Sequence, residues 1–275
     1  MVITLAGGYM NLFKKLTMTL VCSVAATLAL VQSAQADQLA DIEKAGVLKV
    51  AVPQDFPPFG SVGADLKPQG YDIDMAGYLA KELGVKLELV PVTSANRIPY
   101  LQTKKVDLVI SSLGKNPERE KAIDFSKPYA PFFLGVFGLE NVKVSDAADL
   151  AGKTVGVTRG AVEDIELTKL LPESATMKRF EDNNTTISAF LSGQVDLIAT
   201  GNLVVTSIAE RNPDRVPVTK FLLKNSPCYV GVHKGEAELM AKVNELISKA
   251  YSDGVLENIS QKWLKASFPE DLAMM

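Results

Sequence analysis

Apolar residues fall along this chain in short runs separated by small, polar and glycine-containing turns, and one run sets the pattern for the rest. Val106, Leu108 and Ile110, with Val109 between them, form a stretch typical of a buried parallel strand. The run stops at Ser111-Ser112. Gly114 then loosens the backbone, Asn116 is a favourable helix N-cap and Pro117 fits the first helical position. Residues 106–119 therefore predict strand, small polar turn and helix, with Arg119 in the helix's first turn. Two hydroxyls, free backbone N–H groups, the positive end of a helix dipole and a guanidinium collect there. That set suits a carboxylate or another small anion.

The design returns further on. Val106-Asp107-Leu108-Val109 is echoed by Val195-Asp196-Leu197-Ile198, and Ser111 and Ser112 correspond to Thr200 and Gly201. Two similar α/β lobes, each offering a strand terminus, predict one ligand gripped between them; two ordinary strand–helix units with nothing bound are the plainer alternative.

The remaining pattern fills in both lobes. Val47–Val52 reads as a strand, ending in Pro53-Gln54-Asp55-Phe56-Pro57-Pro58-Phe59, where prolines stiffen an aromatic platform. Helices at residues 71–83 and 96–103 and a strand at 85–90 follow, the alternation of parallel βαβ units. After Arg119 the pattern changes: residues 123–129 cannot continue a helix, and residues 132–137 are an extended apolar crossing. A second α/β set begins near Leu150, with strands at 154–157, 176–180 and 195–199 and helices at 161–170, 184–191 and 203–210. Short strands at 220–222 and 229–232 precede two closing helices, 237–251 and 255–264. A chain that crosses out near Pro131 and back near Tyr229 makes a two-segment hinge. The expected fold is α/β and two-lobed, each lobe a mostly parallel sheet flanked by helices. Residues 37–131 and 230–275 make the first lobe and residues 132–229 the second.

Composition narrows the function. Lys14 and Lys15 precede an apolar run ending at Val31, and Ala34-Gln35-Ala36 offers a cleavage site, so residues 1–36 read as a secretory signal peptide, with Met10 as a possible start. Cys22 lacks the small residue before it that a lipoprotein signal wants, which favours export as a free protein. Removing Lys14 and Lys15 from the 29 basic residues leaves the 32 acidic ones in excess, so nucleic acid is not an expected partner. Beyond the signal peptide only Cys228 remains, which excludes an intramolecular disulfide and reads as a buried small hydrophobe.

Other candidate chemistry thins out on inspection. Gly152-Lys153-Thr154 lacks the earlier glycine of a phosphate-binding loop and leads into a strand. His233 has no Cys or His partner for a metal. Asp107 and Asp196 begin their strands and so face away from the cleft as turn-forming residues. Ser111 and Ser112 have neither a base nearby nor a nucleophile elbow. Asn96 and Arg97 lie within reach of the cleft, where they would read a ligand's side chain, unless the short helix leaves them solvated.

Phe56-Pro57-Pro58-Phe59, Gly70-Tyr71-Asp72-Ile73-Asp74, residues 106–119, Asp124-Phe125-Ser126-Lys127-Pro128-Tyr129 and residues 152–157 occur in that order. The chain in this respect resembles the extracellular solute-binding proteins of polar amino-acid ABC transporters, from about Val47 to Leu264. The resemblance implies a periplasmic type II binding protein, working as a monomer without cofactor or metal, that closes on a small ligand and docks on a membrane permease. It makes Phe56 the aromatic that stacks on the ligand, Ser111 and Arg119 the groups that bind its α-carboxylate, and Ser112 a lining residue. Gly114 replaces a frequent hydroxyl, leaving only backbone. In the second lobe Arg159, Gly160, Val162 and Asn202 close over the ligand, Val162 standing where a threonine is often used.

Gly201 is the chief departure, since it occupies the position of the acid that usually pairs with the ligand's α-ammonium. Loss of a buried charge-assisted pair costs roughly 2–5 kcal/mol of affinity. Three alternatives stay open: a register slip of one residue, another group in the role, or a ligand without an ordinary α-ammonium. Two further functions share these features. A cyclohexadienyl-dehydratase-like enzyme would need a cleft acid, for which Glu163, Asp164 and Glu173 are candidates, and a ligand-sensing partner of a membrane receptor would look the same in sequence.

Overall fold

The computed structural model describes residues 38–273; the expected signal peptide, residues 1–36, lies outside the described residues. A helix, Gln38–Ala45, leads into β1 (Val47–Val52) and the short strands β2 (Asp55–Phe56), β3 (Gly60–Val62) and β4 (Pro68–Gln69). β5 (Lys86–Pro91), β6 (Leu108–Leu113) and β7 (Ile123–Ala130) follow. Through Pro131 and Phe132 the chain enters β8 (Phe133–Gly138), then β9 (Thr154–Thr158), β10 (Thr176–Phe180), β11 (Leu197–Gly201) and β12 (Val218–Asn225). It returns through Ser226 and Pro227 to β13 (Cys228–His233).

Two five-stranded sheets result, ordered β5-β1-β6-β13-β7 and β10-β9-β11-β8-β12. Both are mixed, with four strands running one way and one against them, in keeping with the mostly parallel sheets that the sequence predicts. β1 pairs in parallel with β5 and β6, and β9 with β10 and β11. β13, arriving from the other sheet, inserts antiparallel between β6 and β7, and β8 inserts the same way between β11 and β12. The strands that carry the chain across therefore complete each sheet.

Periodicity accounts for the helix that backs the first sheet. Tyr71–Glu82 buries Tyr71, Asp72, Met75, Ala76, Leu79 and Ala80, one face at helical spacing. That face joins Leu108, Ile110, Tyr129 and Val230 of the sheet in one apolar core. The opening aspartates of the two repeated strands share one task. Asp107 Oδ2 accepts from Lys49 N (2.8 Å) and Asp196 Oδ2 from Thr154 N (2.8 Å), so each ties its strand to the neighbouring one. β6 runs on through Ser111 and Ser112 to Leu113, and all six of its residues are buried. The sequence predicts a turn at the serines; the strand instead carries on to Leu113, which pairs with Tyr229 of β13 past a register irregularity, and only Ser112 departs from extended backbone.

Candidate functional site

The carboxyl end of β6 is shaped from behind by a buried acid. Ser112 has φ 42°, a left-handed conformation unusual outside glycine. Its N–H donates to Asp72 Oδ2 at 2.7 Å, and Tyr129 Oη donates to Asp72 Oδ1 at 2.6 Å. Tyr71 Oη in turn donates to the Tyr129 carbonyl. This network fixes a strained residue by over-determining it. Burial pushes the Asp72 carboxyl up to about 7, against the lowering effect of the Tyr129 and Ser112 hydrogen bonds and of Arg97.

Beyond Ser112 the chain turns at Gly114, which is glycine because there is no room for more: a Cβ there would run into Ser226 Oγ and meet Val162 Cγ2 at 3.0 Å. Asn116 caps the short helix Pro117–Ala122 by accepting from Arg119 N at 2.8 Å. That helix holds the Arg119 side chain back over the turn. Arg119 Nη1 donates to the Gly114 carbonyl at 2.6 Å and Nη2 to the Gly160 carbonyl of the other sheet's loop at 2.9 Å. Burial first, and the nearby Arg97 second, lower its pKa to about 9, so it remains a cation at neutral pH.

A narrow cleft of ≈ 20 Å³, room for about one water, lies between the two sheets. Phe56, Ser94, Arg97, Ser112 and Gly114 line it from one side, and Phe132, Val162, Glu163, Asn183 and Ser226 from the other and from the crossing segments. Arg97 is buried, not solvated, at 5% exposure, and its Nη2 donates to Ser94 Oγ at 2.7 Å. Arg97 Nε, Ser111 Oγ and Ser226 Oγ have no hydrogen-bond partner although buried. Glu163, 4% exposed, is pushed up to about 7 by burial, against the attraction of its own backbone N–H, Arg97 and Arg119.

The predicted residues separate into two groups. Phe56, Ser112, Gly114 and Val162 line the cleft, and Arg119 lies beside it, bridging the Gly114 and Gly160 carbonyls. Ser111 lies fully buried behind the lining. The Arg159 side chain turns outward to an exposed ion pair with Glu181 (2.8 Å). Asn202 begins the helix after β11, and its Oδ1 accepts from Phe133 N at 3.2 Å, beside the crossing. Ser94, Asn183 and Ser226 carried no motif that sequence reading could have found.

Gly201 sits beneath an aromatic ring. A Cβ there would overlap Phe132 Cζ and Cε2. Phe132 packs edge-on to Phe59, with ring centroids 5.2 Å apart, and close to Phe56 at 6.0 Å. At the cleft's rim, Asn183 N donates to Asp55 Oδ2 at 2.7 Å and Asn183 Nδ2 to Asp55 Oδ1 at 3.1 Å. The β2 acid Asp55 thus accepts from the first residue of the helix Asn183–Leu191, whose N-cap is Asp182.

Comparison with known proteins agrees with this geometry. A family model described as bacterial extracellular solute-binding proteins, family 3, matches residues 48–266. The L-cystine-binding protein of Escherichia coli (strain K12) is 29% identical over 229 residues, covering 82% of this chain and 85% of that one. The solved solute receptor for L-cysteine of Neisseria gonorrhoeae is 34% identical with a TM-score of 0.78, covering 85% of this chain and 96% of the other. An ancestral amino acid-binding protein, titled a precursor of cyclohexadienyl dehydratase, is 33% identical with a TM-score of 0.76, covering 82% of this chain and 99% of its own.

Proposed function

The chain belongs to the bacterial extracellular solute-binding proteins of family 3, and from that membership we propose that it captures a small carboxylate-bearing ligand, an amino acid, in the periplasm for an ABC importer. One observation carries the reading: polar groups from both sheets converge, buried and incompletely paired, on one cleft. Arg97 Nε and Ser226 Oγ line it without hydrogen-bond partners, and buried polar atoms are seldom left so unless a ligand or water completes them. Arg119 serves the α-carboxylate, Phe56 and Ser112 line the pocket, and Arg97 reads the far end of the ligand.

The two lobes, divided by the sequence reading after residues 131 and 229, part about the connectors at 131–132 and 226–227 to admit the ligand, Cys228 and Tyr229 going with β13 of the first sheet. Closure then buries it and creates the surface a permease recognises, the protein acting as a monomer. Ligand shifts this equilibrium only by its extra affinity for the closed form. Residues 1–36 direct export. Calorimetric titration with amino acids, before and after Arg119→Ala, tests the reading: binding lost in the variant supports it, and undiminished binding overturns it.

A second reading has its own observation. Glu163 is a cleft carboxyl whose pKa of about 7 suits a general acid, as a dehydratase requires. Prephenate consumption followed by absorbance separates the two: turnover means enzyme, and binding without turnover means receptor.

A further inference from the structure

We infer that Glu163 takes the ligand's ammonium group in place of any residue at position 201, so that a zwitterion bridges Arg119 of one lobe and Glu163 of the other. This inference rests on the proposed capture of a carboxylate-bearing ligand and names the second charge that ligand carries.

The first part of the case is steric. Position 201 cannot supply an acid, because the Phe132 ring occupies the space into which its side chain would extend. That ring is itself locked between Phe59 and Phe56. A cation-binding group in the cleft must therefore come from another element.

The second part is electrostatic. Among the residues lining the cleft Glu163 is the one carboxyl group. Two guanidiniums, Arg97 and Arg119, stand close enough to influence it, yet among the described residues neither lies within ion-pair distance of it. A buried carboxylate with no direct countercharge is expensive, and its desolvation is what raises its pKa. Its position in the first turn of the helix Val162–Leu170 offsets part of that cost. Arg97, also buried and with Nε unpartnered, shows that the same cavity is incomplete in its anion-binding half. A ligand presenting its α-carboxylate to Arg119, an acceptor at its far end to Arg97 and an ammonium to Glu163 completes both halves.

The arrangement also couples recognition to closure. Arg119 belongs to the first lobe and Glu163 to the second, so a ligand held through its carboxylate alone gains little from closing. A zwitterion gains its second ion pair only in the closed form, which is the differential affinity that drives the hinge.

The test compares wild type with Glu163→Gln by calorimetry on three ligand pairs: L-cysteine with 3-mercaptopropionate, L-glutamine with 4-carbamoylbutanoate, and L-arginine with 5-guanidinopentanoate. Within each pair the second compound lacks only the α-ammonium. Wild type should prefer an amino acid to its partner, and Glu163→Gln should weaken that amino acid at least about 30-fold while changing the partner by no more than about threefold. Equal effects on both members overturn the inference, since Glu163 would then only balance the arginines. Wild-type binding of the deaminated partners alone overturns it too, while leaving the carboxylate-capture reading intact. No binding of any of the six compounds overturns both.

Discussion

Two strands of this protein are built to one plan and end differently. β6 and β11 each follow a Val-Asp pair whose aspartate accepts from a backbone N–H of the neighbouring strand, and each lies in a mixed sheet of the same order. At its carboxyl end β6 opens into the cleft through Ser112, whose strained backbone is held by Asp72, and leads to Arg119. β11 ends at Gly201 under the Phe132 ring, sealed with carbon. A repeated strand thus guarantees a repeated frame but not a repeated site. What decides the site is the residue packed against the strand's carboxyl end: a carboxylate for Ser112, an aromatic for Gly201.

The sharpest way to break this contrast is to give the second strand end the acid it lacks. Gly201→Asp would overpack against Phe132 and bury an unpaired carboxylate, and should destabilise the protein by about 4 kcal/mol. Denaturant unfolding would show it, and adding Phe132→Ala should recover part of the loss. The reverse operation disables the first strand end. Arg119→Ala should weaken ligand binding by about 2–5 kcal/mol with a smaller effect on folding, read by titration and melting together.

Asp72 allows a finer cut. Its folded-state pKa, about 7, lies above the ordinary carboxylate value of 3.8. The folded protein therefore binds a proton that the unfolded chain has already released between these values. The associated stability is fully present below about pH 4 and is lost as pH rises through about 7. Glu163, raised in the same direction, adds to the trend. Melting temperature of the ligand-free protein should fall between pH 5 and pH 8, and Asp72→Asn should flatten that fall by about 1–3 kcal/mol. A profile unchanged by the substitution would mean Asp72 is ionised throughout. The smallest expected effect is at the rim. Asp55→Ala removes a contact that exists only while the lobes meet, so it should cost about 1 kcal/mol of ligand affinity, roughly fivefold, with little change in unfolding.

Most of the frame was legible along the chain. Apolar runs of strand length, Asn116 before Pro117, and the change of pattern after Arg119 mark the elements and both crossings. Asp107 and Asp196 read as turn-forming residues, and the structure has each also accept from a backbone N–H of the neighbouring strand. Groups defined by contacts far along the chain were not legible. Phe132 meets Gly201 across the crossing, and nothing local to either residue signals it. Arg97 could have been solvated on its short helix; the structure buries it in the cleft between the two sheets. Arg159 and Asn202 fall near the cleft in sequence order, but an outward ion pair claims one and the Phe133 N–H the other. Direction of a side chain depends on which partner it finds, and local pattern does not encode that.

The most direct test of the unequal strand ends is a thermal-shift screen of the mature protein, unfolded and refolded to strip bound ligand. The compounds are amino acids, their deaminated carboxylates and quaternary amines without a carboxylate. With Arg119 and Ser112 forming the working end, a carboxylate-bearing ligand at about 100 times its dissociation constant should stabilise the protein by about 2.7 kcal/mol, with the quaternary amines inert. Stabilisation by the quaternary amines alone would contradict this, because the cleft would then be an aromatic cation site with no use for its arginines.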